Sequence, residues 1–278
     1  MACNSRSLSR LGVFSRHIAP QPDELVHPRL NSPLPSIGSY TGASFGPSFL
    51  HSGASAPSPL LSAGDAIGSA VARRFAREGY VAVVVRRNGS KLQRLVEEIA
   101  ADGGKAVGFG IDARKEDQVA RLFATVEGEI GPIHVMVFNI GANVWEMACL
   151  AGLLTSREAA RRMLPRNCGT IILTGATASV RGAAGFSAFP GAKHALRALA
   201  QCLAKELGPQ GIHVSHVVID GAVDTLWIRE NFQEMVKEKE VDGLVQPDDV
   251  AELYWSLHMQ KRSGWTFEVD LRPWSEKW

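Results

Sequence analysis

Residues 169–196 decide the fold, and they read GTIILTGATASVRGAAGFSAFPGAKHAL. The stretch opens with a β-branched run, Thr170 to Thr174, which is typical of a strand. A loop of small residues follows. Beyond the loop, apolar side chains recur at the three- and four-residue spacing of an amphipathic helix, at Leu196, Leu199, Ala200, Leu203 and Leu207. The stretch therefore predicts a strand, a loop and a long helix, in that order.

The rest of the sequence repeats this alternation. Apolar runs predict further strands at residues 80–85, 106–111, 133–138, 212–219 and 265–269. Between them, patterns with a period of 3.6 residues predict helices, among them 116–129 and 145–163. Strands that are apolar throughout and alternate with helices are typical of a parallel sheet covered on both faces. The predicted fold class is α/β, a Rossmann-like doubly wound parallel sheet in a single domain.

The composition changes at about residue 60. Residues 1–60 hold eight of the fourteen prolines, and they predict an irregular tail. The first 20 residues contain three arginines and no acidic residue, a composition that resembles an organelle transit peptide. We therefore expect residues 1–60 to be a disordered or targeting-like tail and residues 61–278 to form the domain. The expected location is cytoplasmic, or mitochondrial if the tail is a transit peptide.

The charge distribution argues against several classes of partner. The whole formal charge of +2 belongs to the tail, and the remainder carries 26 basic and 26 acidic side chains. A balanced domain offers no basic footprint for nucleic acid and no polybasic patch for a membrane. The four cysteines and eight histidines lack the spacing of metal ligands. We expect a small-molecule substrate, with no nucleic acid, membrane or metal.

The spacing within residues 169–196 resembles that of the short-chain dehydrogenase/reductase family. In that family a serine follows the strand, and a tyrosine and a lysine lie four residues apart on one face of the helix. These positions are Ala176, Phe189 and Lys193 here, and the family's catalytic asparagine falls on Cys149. The chain is thus identified as a divergent member with an altered catalytic tetrad, in which only the lysine matches.

These replacements predict a weakened reaction. Phe189 has no proton to give, and a placed general acid contributes roughly 10²–10⁴-fold to a rate. Thr174 precedes Ala176 by two residues, so we expect its hydroxyl to face the same side and to donate a hydrogen bond to the substrate. The resemblance also gives Lys193 a role in binding the nicotinamide ribose. The crossover after Asn139 is shorter than in the family, and we expect Trp145 and Met147 to fill that space.

The resemblance implies a dinucleotide at the carboxyl ends of the strands. The family's glycine pattern falls on residues 61–68, where Gly68 matches and Gly64 stands off the pattern. Arg86 and Arg87 offer guanidinium groups suited to a 2′-phosphate, so the implied cofactor is NADP rather than NAD. The other implied cofactor positions are Ile67, Asp112, Asn139, Gly141, Lys193 and Thr225.

The family's first strand is expected at about residues 54–60. Pro57 and Pro59 lie there, and proline cannot donate to a central ladder. Either an irregular segment fills the position of this strand, or the tail was joined to the domain by splicing or by a gene-model error. This departure from the family argues against tight cofactor binding and against high stability.

Two functions are consistent with these patterns. The first is a short-chain dehydrogenase/reductase-type oxidoreductase, linked to NADP(H) and acting on an alcohol or carbonyl by a non-standard proton route. The alternative is a catalytically impaired Rossmann-fold protein that acts as a nucleotide-binding or partner-binding module. Fold alone does not decide between them. The resemblance also implies a homodimer or homotetramer formed through the helices at about 145–163 and 190–207.

Overall fold

The computed structural model describes residues 36–37, 59–62, 66–140 and 145–277. Their strands form one sheet in the order β1-β4-β3-β2-β5-β6-β7-β8. All neighbouring pairs are parallel except β1 and β4, which are antiparallel. The strands are β1 Ser36–Ile37, β2 Pro59–Ser62, β3 Val81–Arg86, β4 Lys105–Gly110, β5 Val135–Phe138, β6 Gly169–Thr174, β7 Ile212–Ile219 and β8 Glu268–Leu271. The predicted doubly wound parallel sheet is confirmed.

Helices cover both faces of this sheet. They are α1 Ile67–Arg77, α2 Gln93–Ala101, α3 Glu116–Glu129, α4 Ala151–Met163, α5 Ala188–Leu207, α6 Leu226–Asn231, α7 Gln233–Glu238 and α8 Pro247–His258. One buried apolar cluster joins α3, α4 and α5 to one face, and two others join α1, α2 and α8 to the opposite face. Successive strand residues point to opposite faces, so each apolar strand contributes to both layers. A π-helical turn, Glu146–Leu150, leads directly into α4.

The central strand β2 corrects the expectation for the start of the domain. Residues 59–62 pair in parallel register with β3, from Pro59 opposite Val81 to Ser62 opposite Val84. On the other side, Leu60 lies opposite Val135 of β5. The expectation of an irregular segment is wrong, because a proline at the first position of a strand interrupts few ladder hydrogen bonds. A regular strand therefore fills this position, and it crosses the predicted domain boundary after residue 60.

The predicted tail also contributes β1. Ser36 lies opposite Phe109, and Ile37 lies opposite Gly108 of β4. This antiparallel pair adds an edge strand to an otherwise parallel sheet, a common variation of doubly wound folds. In the described residues, no helix is both long enough and apolar enough to cross a membrane.

We expect truncation to reveal the start of the folded unit. A chain that begins at Ser58 keeps β2, whereas one that begins at Gly64 lacks the strand that pairs with both β3 and β5. The first should unfold cooperatively in urea with nearly full helical signal, as followed by circular dichroism. The second should show no cooperative transition, because two strand edges in the middle of the sheet are left unpaired. Equal stability of the two chains would contradict the assignment of β2.

Candidate active site

The sheet has one point at which its strand order reverses, between β2 and β5. In doubly wound folds, ligands bind beyond the carboxyl ends of the strands near such a point. A cavity of about 490 Å³ lies at these ends in this chain. It is bounded by the residues that follow β6 and β7, by the first residue of α1 and by the beginning of α5. This cavity is the candidate active site.

Lys193 lines the cavity from the first turns of α5. Its side chain is only 3% exposed, and burial lowers its pKa to about 8. The ammonium Nζ donates to the carbonyl oxygen of Thr174 at 2.9 Å and to that of Ile140 at 3.2 Å. The first carbonyl belongs to the last residue of β6, and the second lies two residues beyond the end of β5. Lys193 therefore ties α5 to the ends of two central strands.

Ala176 and Phe189 line the same cavity. The Phe189 ring lies with its centroid 5.9 Å from Lys193 Nζ. Neither side chain carries a hydrogen-bonding group, so this part of the wall can neither donate a proton to a substrate oxygen nor accept one from it. The structure brings three of the four tetrad positions together, and only the lysine among them is reactive.

Thr174 has a different environment from the one that the sequence predicts. Its hydroxyl is hydrogen-bonded to the hydroxyl of Tyr254 on α8, at 2.7 Å, and both residues are buried. β6 ends at Thr174, and the side chain of this last strand residue points to the α8 face of the sheet. The expected hydrogen bond from Thr174 to a substrate is therefore not formed in this geometry. Thr174 instead faces the cavity with its backbone.

Cys149 lies in the π-helical turn before α4, which packs against α5. It is half-buried, and burial raises the pKa of its thiol. The residues that line the cavity do not include Cys149, so the structure does not bring it to Lys193. Trp145 lies beside α5, where a Cβ on Gly191 would be 2.5 Å from its indole ring. Neither Trp145 nor Met147 is among the residues that line the cavity, so the expectation that they fill the space of the shortened crossover stays a prediction.

Sequence reasoning missed a polar cluster beside the cavity, built on Asp220 just after β7. The buried Asp220 carboxylate accepts a hydrogen bond from the Thr177 hydroxyl at 2.5 Å. Arg181 and Arg272 lie 3.4 and 3.3 Å from its oxygens. Thr177 and Arg181 also line the cavity. A carboxylate in place of the family's proline was the signal for this cluster, since a buried acid requires hydrogen-bonding partners.

The predicted cofactor positions fall into two groups along the carboxyl edge. Near the cavity, Ile67 lines its wall and Gly68 is buried in the first turn of α1, whose amino end favours anions. Asn139 is buried just after β5. Thr225 caps α6, with its hydroxyl accepting from the Ile228 N–H at 3.1 Å. Gly64 and Gly141 lie outside the described residues.

The second group lies at the ends of β3 and β4. Arg86 ends β3, and Arg87 after it is exposed. Asp112 is bound by Arg114 through two nitrogens, Nη2 at 2.6 Å and Nε at 2.9 Å. These hydrogen bonds lower the pKa of Asp112 to about 2, and the charge of Arg87 acts in the same direction. The Asp112 carboxylate is thus already paired, and an adenine would have to share it with Arg114.

A family model described as short chain dehydrogenase matches residues 60–236, which is more than half of the chain. The chain belongs to this family. The fold of this oxidoreductase family accounts for the parallel sheet and for the cavity at its carboxyl edge, where Lys193 lies.

Individual relatives agree with this placement. A 2,3-dihydro-2,3-dihydroxybenzoate dehydrogenase of Bacillus subtilis is 26% identical over 222 residues, covering 69% of this chain and 85% of the relative. The short-chain reductase protein NovJ of Streptomyces niveus is 31% identical over 185 residues, covering 62% of this chain and 70% of its own length.

Solved structures show the same fold. A short-chain dehydrogenase from Rhodopseudomonas palustris is 41% identical, with a TM-score of 0.67 and coverage of 79% of this chain and 99% of its own. A metagenomic short-chain oxidoreductase in complex with NADP is 24% identical, with a TM-score of 0.67 and coverage of 78% and 97%. The second likeness shows the fold alone.

The pair Thr174 and Tyr254 can be tested by stability. Tyr254→Phe leaves the buried Thr174 hydroxyl without its partner, and we expect the free energy of unfolding in urea to fall by about 1–3 kcal/mol. Thr174→Val should cost a similar amount. The double variant should be less destabilised than the sum of the two, because no polar group is then left unpaired. Strictly additive losses would contradict a direct bond between the two hydroxyls.

Proposed function

We propose that this chain is an NADP(H)-linked oxidoreductase acting on an alcohol or carbonyl substrate, with slow turnover because the family's serine and tyrosine are absent. The observation that carries the proposal is the buried Lys193 in the wall of a cavity at the carboxyl edge of the sheet. Bound NADPH would supply a hydride. The residues of this chain would bind and orient the cofactor and the substrate, and they would exclude water from the cavity.

The residues of the cavity fit the nicotinamide half of the cofactor. Lys193 carries N–H donors for ribose hydroxyls, and Ile67 presents an apolar surface for a ring. Gly68 in the first turn of α1 allows a pyrophosphate to approach the helix amino end. At the other half, Arg86 and Arg87 would pair with a 2′-phosphate through their guanidinium groups. This charge supports NADP(H) over NAD(H).

Proton transfer to the substrate oxygen is the step for which this chain lacks the family's groups. Ala176 cannot stabilise a developing oxyanion, and Phe189 cannot act as a general acid. The Thr177 hydroxyl is held by Asp220, and the Thr174 hydroxyl by Tyr254. We therefore expect the second function, nucleotide binding with little turnover, to describe the protein's behaviour with most carbonyl compounds.

Cofactor binding can be tested by titrating the protein with NADPH and NADH while following the nicotinamide fluorescence. We expect tighter binding of NADPH, and we expect Arg87→Gln to weaken it by about tenfold with little effect on NADH. Arg94→Gln is the matched control, because Arg94 lies on the exposed surface of α2 and is 90% exposed. If neither NADPH nor NADH binds, the proposed function is refuted.

Turnover can be tested by rebuilding the tetrad positions. Ala176→Ser with Phe189→Tyr should raise the rate of NADPH-dependent carbonyl reduction by about 10²-fold or more, since it adds a donor and a general acid. Phe232→Tyr is the control, because it adds the same hydroxyl at a position outside the cavity lining. An unchanged rate in a variant that still binds NADPH would show that slow turnover has another cause than these two positions.

A further inference from the structure

Lys193 has the environment of an unpaired amine. Within the part of the chain that the structure describes, no carboxylate lies within 4 Å of its Nζ. A network that includes His216, on whose pKa the charge of Lys193 acts, joins Glu268 of β8 to Arg197 of α5 at 2.6 Å and to His216 of β7 at 2.9 Å. The acid of this network is thus already neutralised. Burial without a counter-charge lowers the pKa of Lys193 and so raises the fraction of neutral amine near neutral pH.

The two hydrogen bonds of Nζ suit the neutral amine. A neutral primary amine has two N–H bonds and one lone pair, whereas an ammonium has three N–H bonds and no lone pair. The carbonyl oxygens of Thr174 and Ile140 accept two N–H bonds. The neutral form therefore leaves no donor unsatisfied at these contacts, and it keeps a lone pair that does not point at either carbonyl.

The cavity beside this nitrogen has mostly apolar walls. They include Ile67, Phe186, Phe189, Ile219 and Val223. At about 490 Å³ the cavity is of the size that binds small organic ligands. A lysine that is desolvated in an apolar pocket is an activated nucleophile toward carbonyl compounds. Phe189 contributes because its ring, unlike a tyrosine, offers Nζ no ionisable hydroxyl.

We propose that Lys193 is a nucleophilic amine that captures small apolar aldehydes and ketones from this cavity as imines. The Nζ lone pair forms a bond to the carbonyl carbon, the π electron pair of the carbonyl moves to its oxygen, and this oxygen takes up one proton from the nitrogen. The C–O bond then breaks, the oxygen leaves as water with the second proton from the nitrogen, and the nitrogen lone pair forms the C=N bond. One amine and one carbonyl yield one imine and one water, with no oxidant or reductant. The apolar walls favour the loss of water.

Borohydride trapping tests this proposal on the full-length protein without cofactor. The protein is incubated with benzaldehyde at pH 7.5 and reduced with borohydride, and the benzylated lysines are mapped by peptide mass spectrometry. We expect Lys193 to be labelled at least about tenfold faster than Lys205, an exposed lysine on the same helix, because burial lowers the pKa of Lys193 and Lys193 lines the cavity. Labelling confined to surface lysines would overturn the proposal.

The pH profile and two variants sharpen this result. Trapping at Lys193 should rise through about pH 8 as the amine loses its proton, and this profile should differ from that of Lys205 in the same peptide map. Lys193→Arg should abolish the fast phase, and Lys205→Arg should leave it unchanged. If Lys193→Arg does not fold, the wild-type peptide map still shows whether Lys193 is labelled faster than Lys205. A profile at Lys193 that matches Lys205 would contradict an activated amine.

The same assay separates this proposal from the proposed function. NADPH bound with its ribose at Lys193 should protect the amine and reduce its labelling severalfold. Fast labelling that NADPH does not alter supports the imine site and argues against NADP(H) binding at Lys193. Slow labelling of Lys193 in a protein that binds NADPH tightly argues against the imine site and supports NADP(H) binding.

Discussion

The site depends on the hydrogen bonds of a single nitrogen, Lys193 Nζ, to the carbonyl oxygens of Thr174 and Ile140. Parallel strands expose such carbonyls where they end, and a buried carbonyl must find a donor. Lys193 supplies donors to two of them and thereby fixes the position of α5 against β5 and β6. The lysine thus has a structural role that does not depend on Phe189 or Ala176 being reactive.

The loop after β6 is shaped by a second constraint. The His216 ring on β7 lies beneath Gly175, where a Cβ would be 2.4 Å from its Nε2. Only glycine, which has no Cβ, leaves room for the His216 ring here. Ala176, the next residue, has an extended backbone conformation. The Ser179 hydroxyl then accepts the Ala176 N–H at 3.1 Å. The part of the cavity wall at residues 175–178 is therefore built from backbone and small side chains.

Regular elements were predictable because their signals are local. The helix predicted at 116–129 is confirmed at Glu116–Glu129, where the apolar period and two acidic residues in the first turn agree. Several strands are displaced by one or two residues. The strand Pro59–Ser62 was missed because the proline rule concerns a ladder N–H, and its cost is small at a strand end. The bond between Thr174 and Tyr254 joins residues 80 apart, which no local pattern encodes.

The amine and the proposed cofactor require the same atom. The nitrogen of an imine has no N–H, and that of a protonated imine has one, so imine formation gives up at least one of the two carbonyl contacts and fills the space that a ribose would need. The residue at position 189 influences whether Lys193 is a neutral amine that forms imines or an ammonium that binds a ribose. A tyrosine there would provide a hydroxyl that pairs with the charged lysine and holds it as an ammonium, whereas Phe189 leaves the burial of Lys193 uncompensated. The replacement that removes the general acid therefore also favours the nucleophilic form of its neighbour.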